Sequence, residues 1–316
     1  MTDPVVARTG LITFGETMGL VAADGIGPLE YARSFSFGIG GAESNVAIGV
    51  ARLGQQVTWF GRVGPDATGD LVERRLRAEQ IRTIAIRDRA FTGLMVKHRR
   101  FGTSLHVDYH RAGSAGSRLS PADVPVGELE SAAILHVTGI TPALSDTARA
   151  AAFHAVEVAR AAGVTVSVDV NYRAKLWSRY DAAPVLRDLV SRADVVFAGP
   201  DEAELVLGSP SDLDELAALG PGEVVVKDGA RGCTALIDGE RHQVPALRVQ
   251  VVDPVGAGDA FVAGYLAERL DGRAPAERLR TAIAAGAFAV TVPGDCEGMA
   301  RRSELTALAS EEDVAR

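Results

Sequence analysis

The chain has 316 residues, 47% hydrophobic and 23% charged, with a formal net charge of −8. That length allows one large α/β domain or two domains with ample buried core, and the acidic balance argues against nucleic acid as a partner. No apolar run approaches the roughly 18 residues of a membrane span, Met1 to Gly10 has no secretory pattern, and Cys233 and Cys296 lie far apart without metal-ligand spacing, so a cytoplasmic protein is expected.

In chain order, Leu11 to Gly15 reads as a buried strand ending in Gly15-Glu16. Gly19 to Ala23 and Tyr31 to Phe37 read as short strands, Val46 to Leu53 as a helix stopped by Gly54, Gln56 to Val63 as a strand, and Asp66 to Gln80 as an amphipathic helix. Thr83 to Ile86, Thr92 to Arg100 and Ser104 to Arg111 alternate in short segments broken by Gly and basic residues, which predicts small exposed strands. After Pro121 the rhythm changes. Strands are expected at Ala133–Thr138, Val164–Val170, Asp194–Ala198, Glu223–Lys227, Thr234–Ile237 and Arg248–Val252. Helices are expected at Ser145–Ala162, Pro184–Arg192, from Asp201, and at Ala257–Leu270 and Pro275–Val290, with a polar tail from Glu311. Alternating strands and helices imply a mostly parallel sheet covered on both faces. The β-rich pieces near residues 16–37 and 83–111 fall outside that rhythm and are expected to form a small β-sheet lid on a single 1–316 domain.

Two Gly-rich elements carry chemistry. Asp253-Pro254-Val255-Gly256-Ala257-Gly258-Asp259 runs straight into an apolar helical segment. The N–H groups of Gly256 to Asp259 would point from a helix N-terminus, a place for phosphate. Asp259 would be repelled by a resting phosphate, so it is either an ordinary first-turn Asp or a base that deprotonates a hydroxyl. Far upstream, Gly38-Ile39-Gly40-Gly41-Ala42-Glu43-Ser44-Asn45 also opens a helix. Two such loops imply two ligands brought together.

Together these elements resemble the two signatures of the ribokinase (pfkB) family of carbohydrate kinases. The resemblance implies a three-layer α/β/α core with a small β-sheet lid, ATP and Mg2+ as cofactors, and it leaves a K+ requirement open. It makes Asp259 the catalytic base, with Gly256, Ala257 and Gly258 forming the anion hole. Gly40, Gly41 and Asn45 would contact the sugar. The stretch Lys227-Asp228-Gly229-Ala230-Arg231-Gly232 looks like the family's loop beside the nucleotide, and Asn171, Lys227, Gly229, Gly232, Gly256 and Gly258 are candidates there. Asp201-Glu202-Ala203-Glu204 occupies the place of the family's Asn-x-x-Glu motif, which makes Glu204 the candidate for indirect magnesium contact. Asp108-Tyr109-His110-Arg111, Asn171-Tyr172-Arg173 and Gly294-Asp295-Cys296-Glu297-Gly298 resemble the corresponding stretches of the family's 2-keto-3-deoxygluconate kinases. Tyr109, Arg111, Arg173 and Asp295 are thus expected at a sugar acid, with Met95 standing where a substrate-touching Tyr is expected. Arginine suits a carboxylate better than a neutral sugar. Fructokinase, 5-dehydro-2-deoxygluconate kinase and a non-catalytic sugar sensor remain alternatives. A dinucleotide-dependent dehydrogenase does not, because no Gly-x-Gly-x-x-Gly opens the helix after the first strand. Apolar Phe35, Phe37 and Val107 on the lid suggest a homo-oligomer formed through it.

Overall fold

A computed structural model describes residues 8–309 apart from residue 103. The tail from Glu311 and the first seven residues lie outside the described part.

Strand β1 (Leu11–Phe14) is buried along its whole length. The chain then leaves the core. β2 (Met18–Ile26) starts buried and ends exposed, and β3 (Phe35–Gly40) pairs antiparallel with it. Helix α1 (Ala42–Arg52) returns the chain to the core, followed by β4 (Val57–Val63). Next comes α2 (Ala67–Ala78), whose N-cap Asp66 accepts from the Gly69 N–H at 2.8 Å, and then β5 (Arg82–Arg87). β6 (Leu94–Phe101) and β7 (Ser104–His110) complete the second sheet. The remaining elements alternate: α3 (Val126–Ser131), β8 (Ile134–Thr138), α4 (Thr141–Leu144), α5 (Asp146–Ala162), β9 (Thr165–Asp169), α6 (Arg179–Ser191), β10 (Val195–Ala198), α7 (Pro200–Leu207), α8 (Leu213–Ala217), β11 (Glu223–Lys227), β12 (Cys233–Ile237), β13 (Glu240–Val244), α9 (Ala257–Leu270), α10 (Pro275–Ala289) and α11 (Arg302–Ala309).

The large sheet has nine strands in the order β13-β12-β11-β10-β9-β8-β1-β4-β5, and the small one has four in the order β3-β2-β6-β7. From β11 to β5 every pairing is parallel, while β12 and β13 turn back antiparallel at one edge. Parallel strands are buried on both faces, and here alternate residues feed two cores. Val196 and Ala198 of β10 face the core built with α5, α6 and α7; Val195 and Phe197 face the one built with α1, α9 and α10. Three layers follow from that alternation.

Several expectations change. Thr83–Ile86 belongs to β5, which pairs parallel with β4 at the edge of the large sheet and is no part of the lid. It looks like a lid strand in sequence because an edge strand is only half covered. Arg248–Val252 is not a strand: the segment runs along the cleft wall without a ladder, and the antiparallel partner of β12 is the polar Glu240–Val244. Helix α6 starts at Arg179, capped by Ser178, rather than at Pro184. Val107 faces inwards and packs on Met18, Leu20 and Met95 beneath the lid, while Phe35 and Phe37 are exposed. Among the described residues, no helix is long and apolar enough to cross a membrane.

Candidate active site

A cleft of about 2080 Å³ runs between the inner face of the small sheet and the loops at the C-terminal ends of β9, β10 and β11. Open α/β sheets place ligands at this edge. The volume exceeds the few hundred to about 1,000 Å³ typical of one small ligand, so it has room for two.

The floor is the turn before α9. Gly256 sits at φ 78°, and a Cβ there would also overlap the backbone carbonyl of Asp295. Glycine is therefore required twice over at this position. No side chain caps α9, so the N–H groups of its first turn are left for a ligand. A Cβ on Gly258 would meet only the Lys227 ammonium, at 3.7 Å.

Asp259 lies in that first turn and is 8% exposed. Asn45 Nδ2 donates to Asp259 Oδ2 at 2.8 Å and to Asp295 Oδ1 at 2.9 Å. One amide thus bridges two carboxylates delivered by distant parts of the chain. Burial pushes the Asp259 carboxyl up to about 6, opposed by the Asn45 hydrogen bond and by the charge of Arg173. Burial and then the neighbouring Asp259 push Asp295 up to about 7. Gly40 lies against this pair: a Cβ there would overlap Asp295 and the Met95 methyl, so a bare backbone lets Asp295 approach. Gly41 lines the cleft beside it.

On the other side, Lys227 at the end of β11 puts Nζ 2.8 Å from both oxygens of Asp169 at the end of β9. Asn171 follows at φ 40°, a conformation asparagine tolerates better than most residues, with Nδ2 3.5 Å from Asp169 Oδ2. Gly229 and Gly232 line the same end of the cleft. Glu204 does not: it is exposed on α7, outside the lining. The carboxylate that α7 turns to the cleft is Glu202, which accepts from the Gly199 and Tyr172 N–H groups at 2.7 and 2.9 Å. Burial, then the charge of Asp169, holds its pKa above the usual carboxylate range. Asp201 also lines the cleft and is exposed.

The two arginines differ. Arg111 is engaged by the buried Glu16, with Nε 2.6 Å from Oε2, and Ser114 donates to the same glutamate. Arg173 is exposed on the cleft wall and has no ion-pair partner among the described residues. Tyr109 lies between the cations of Arg111 and Lys175, at 5.7 and 5.6 Å from its ring centre. Lys175 also donates to the Val107 carbonyl at 2.8 Å, which pins the loop after β9 to the lid. Trp177 lies outside the lining.

Sequence reasoning missed Glu16, Glu43, Asp169, Glu202 and Lys97. Glu43 is the least expected: it lies inside the upstream Gly-rich motif, 1% exposed, accepting from Thr138 and Thr141 at 2.7 Å each. Burial raises its pKa. A charged type within a Gly-rich run was its one visible signal.

A family profile described as pfkB family carbohydrate kinase matches residues 8–301. The chain is 36% identical to a 2-dehydro-3-deoxygluconokinase of Bacillus subtilis, over 95% of both chains. It is 34% identical to a 2-dehydro-3-deoxygalactonokinase of Haloferax volcanii, over 90% of this chain and 92% of the other. A solved structure from E. coli, described as a putative ribokinase II in complex with ATP and Mg2+, superposes with a TM-score of 0.89 at 26% identity, covering 96% of this chain and all of that one.

Two outcomes follow from the buried carboxylates. Asp259→Asn keeps the Asn45 neighbourhood filled but removes a proton acceptor; kcat should fall by roughly 10²–10⁴, with nucleotide affinity kept, and the wild-type kcat/KM should climb as pH rises through about 6. A variant that keeps most of its turnover would remove Asp259 from that role. The second outcome concerns stability. Asp295 holds its proton in the folded protein where the unfolded chain has lost it, so the stability it confers is lost as pH rises through about 7. Asp295→Asn should therefore melt higher than wild type at about pH 8, with the gap narrowing towards about pH 4. Equal melting temperatures at about pH 8 would show that the carboxyl carries no such penalty.

Proposed function

This chain belongs to the pfkB family of carbohydrate kinases, and we propose that it transfers the γ-phosphate of ATP to the terminal hydroxyl of 2-keto-3-deoxygluconate, also called 2-dehydro-3-deoxygluconate. The single observation that carries the acid is Arg173, an exposed cation on the cleft wall that makes no ion pair among the described residues and reaches Asp259 only through the field of its charge. A substrate carboxylate satisfies it, and a neutral sugar leaves it idle. Arg111 takes a smaller share of that carboxylate, because Glu16 already occupies its Nε and one terminal nitrogen. Tyr109, Asp295, Asn45 and the Gly41 backbone then hold hydroxyls at the lid end, while Gly40 leaves room for Asp295.

At the other end the nucleotide lies along Lys227, Gly229, Gly232 and Asn171, with its terminal phosphate on the N–H groups of Gly256 to Gly258. Asp259 takes the proton from the attacking hydroxyl. Its raised pKa suits a base working near neutrality, and Asn45 fixes the carboxylate while leaving one oxygen for the substrate. The α9 N-terminus stabilises the charge that spreads over the phosphoryl oxygens. No group of three or more carboxylate, thiol or imidazole ligands clusters among the described residues. Mg2+ keeps most of its water and is bound chiefly through substrate phosphates. Asp201 and Glu202, which line the cleft, would hold its water shell, with Asp169 already engaged by Lys227; when bound it would supply charge neutralisation at the phosphates.

The alternatives fare less well. A fructokinase has no use for an unpaired Arg173, and a sugar sensor has none for Asp259. Met95, buried on the inner face of β6, offers no phenolic hydroxyl to the sugar, so the galactonate epimer is also expected as a substrate. The reading extends to a cytoplasmic setting, in keeping with the two free buried thiols. It extends also to a homodimer through the outer face of the small sheet, where Phe35 and Phe37 are 45% and 53% exposed.

Two measurements decide. On 2-keto-3-deoxygluconate, Arg173→Ala should cost about 1.5–3 kcal/mol in kcat/KM, with Arg111→Ala costing less and fructose turnover little affected by either. A wild type that prefers fructose, or an equal loss on both substrates, would replace the acid by a neutral sugar. For assembly, light scattering at micromolar concentration should report twice the chain mass, and Phe37→Lys should halve it; a monomeric wild type ends the dimer proposal.

A further inference from the structure

Met95, Lys97 and Arg99 alternate along the inner face of β6. Lys97 is only 5% exposed, which is rare for lysine unless it is paired. Its ammonium lies 2.7 Å from Asp253 Oδ2 and also donates to the Gly294 carbonyl. Arg99 stands 3.6 Å from the same Asp253 oxygen. Both partners of Lys97 belong to loops that build the phosphate turn. Asp253 Oδ1 accepts from the Val255 N–H at 3.2 Å, bracing the backbone just before Gly256, and its Oδ2 accepts from the Gly294 N–H at 3.3 Å. One residue further on, the Asp295 carbonyl is packed against Gly256 closely enough to exclude a Cβ. The side chain of a lid strand therefore reaches past the sugar end of the cleft and holds together the two loops on which the α9 N-terminus rests.

We propose that Lys97 is a positioning residue for phosphoryl transfer, coupling the lid to the anion-binding turn through Asp253 and Gly294. Lys97 lines the cleft, but its ammonium is engaged by Asp253 and the Gly294 carbonyl. Its ammonium neutralises a buried carboxylate, and the carboxylate in turn sets the backbone from Val255 to Gly256. The geometry demands a cation of this reach: a neutral side chain would leave Asp253 with only Arg99 at the longer distance and two backbone donors. Misplacing a phosphate site by a fraction of an ångström lowers turnover without lowering binding in proportion, because the lost contacts are those made in the transition state. The inference rests on the kinase chemistry of the cleft and not on which sugar is used.

The test is steady-state kinetics on whichever sugar the wild type phosphorylates fastest, so a wrong substrate assignment leaves it intact. Lys97→Met should lower kcat by about 10- to 100-fold, while KM for sugar and for ATP changes by less than about threefold. Lys97→Arg should restore kcat to within about fivefold of wild type. Because Lys97→Met leaves Asp253 under-compensated in the interior, the double variant Lys97→Met/Asp253→Asn removes both charges and is measured beside Asp253→Asn. The double variant should be no slower than Asp253→Asn alone, since the lysine acts through that carboxylate. Three results would overturn the proposal: an unchanged kcat in Lys97→Met, a loss confined to the sugar's KM, which would make Lys97 a substrate contact, or a double variant slower than Asp253→Asn by the full factor of the lysine change.

Discussion

The amide of Asn45 is the point on which the site depends. Its single nitrogen donates to Asp259 on α9 and to Asp295 in the loop after α10. Burial raises the pKa of both carboxylates and Asp259 raises that of Asp295, so a donor between them relieves part of the cost of placing them together. For Asn45 to reach that place, α1 must lie close on α9. The sequence makes that possible with Gly49, where a Cβ would overlap Ala263 of α9. Bare backbone recurs where the loops meet, at Gly40 beneath Asp295 and at Gly256 on the Asp295 carbonyl. The end of the cleft proposed to be catalytic is thus a set of close backbone approaches closed by one hydrogen-bonded side chain.

Around this centre, three buried carboxylates are matched by cations, while Asp259, Asp295, Glu43 and Glu202 are held by hydrogen bonds alone. Lys227 takes Asp169, Arg111 takes Glu16 and Lys97 takes Asp253. Each pair joins elements that are not neighbours in sequence, and the last two join the lid to its base or to the opposite loop. A buried pair of this kind adds little net stability compared with apolar packing, but breaking it is costly. Its value here is positional: the Lys97–Asp253 pair ties the lid to the loop before α9, and the Lys227–Asp169 pair ties the ends of β11 and β9 together. Arg173 stands apart from that matching, which is why it reads as a group kept for a ligand.

The βα core was legible because buried parallel strands are short apolar runs separated by capped helices, as with Ile134–Thr138 and the Ser145-capped α5. The edges were not. β5 is half covered and so has the texture of a lid strand, while β13, Glu-Arg-His-Gln-Val, carries a single apolar residue and no alternation. Pairing, not local pattern, makes both of them strands. Residues 248–252 show the reverse: an apolar alternation that forms a cleft wall instead of a ladder.

Local chemistry in the sequence determined the uncapped turn that opens α9. Small residues followed at once by an apolar helix leave unpaired N–H groups wherever the chain places them, so Gly256 to Asp259 could be read without coordinates. Tertiary structure decided which charges are free. Glu202 and Glu204 differ by two positions, or about 200° around a helix, and only the packing of α7 settles which one faces the cleft. Arg111 and Arg173 look alike in sequence, but Glu16 arrives from 95 residues away to occupy the first. Helical and strand patterns act over a few residues, whereas the cost of a buried charge depends on whatever the fold brings within a few ångströms of it.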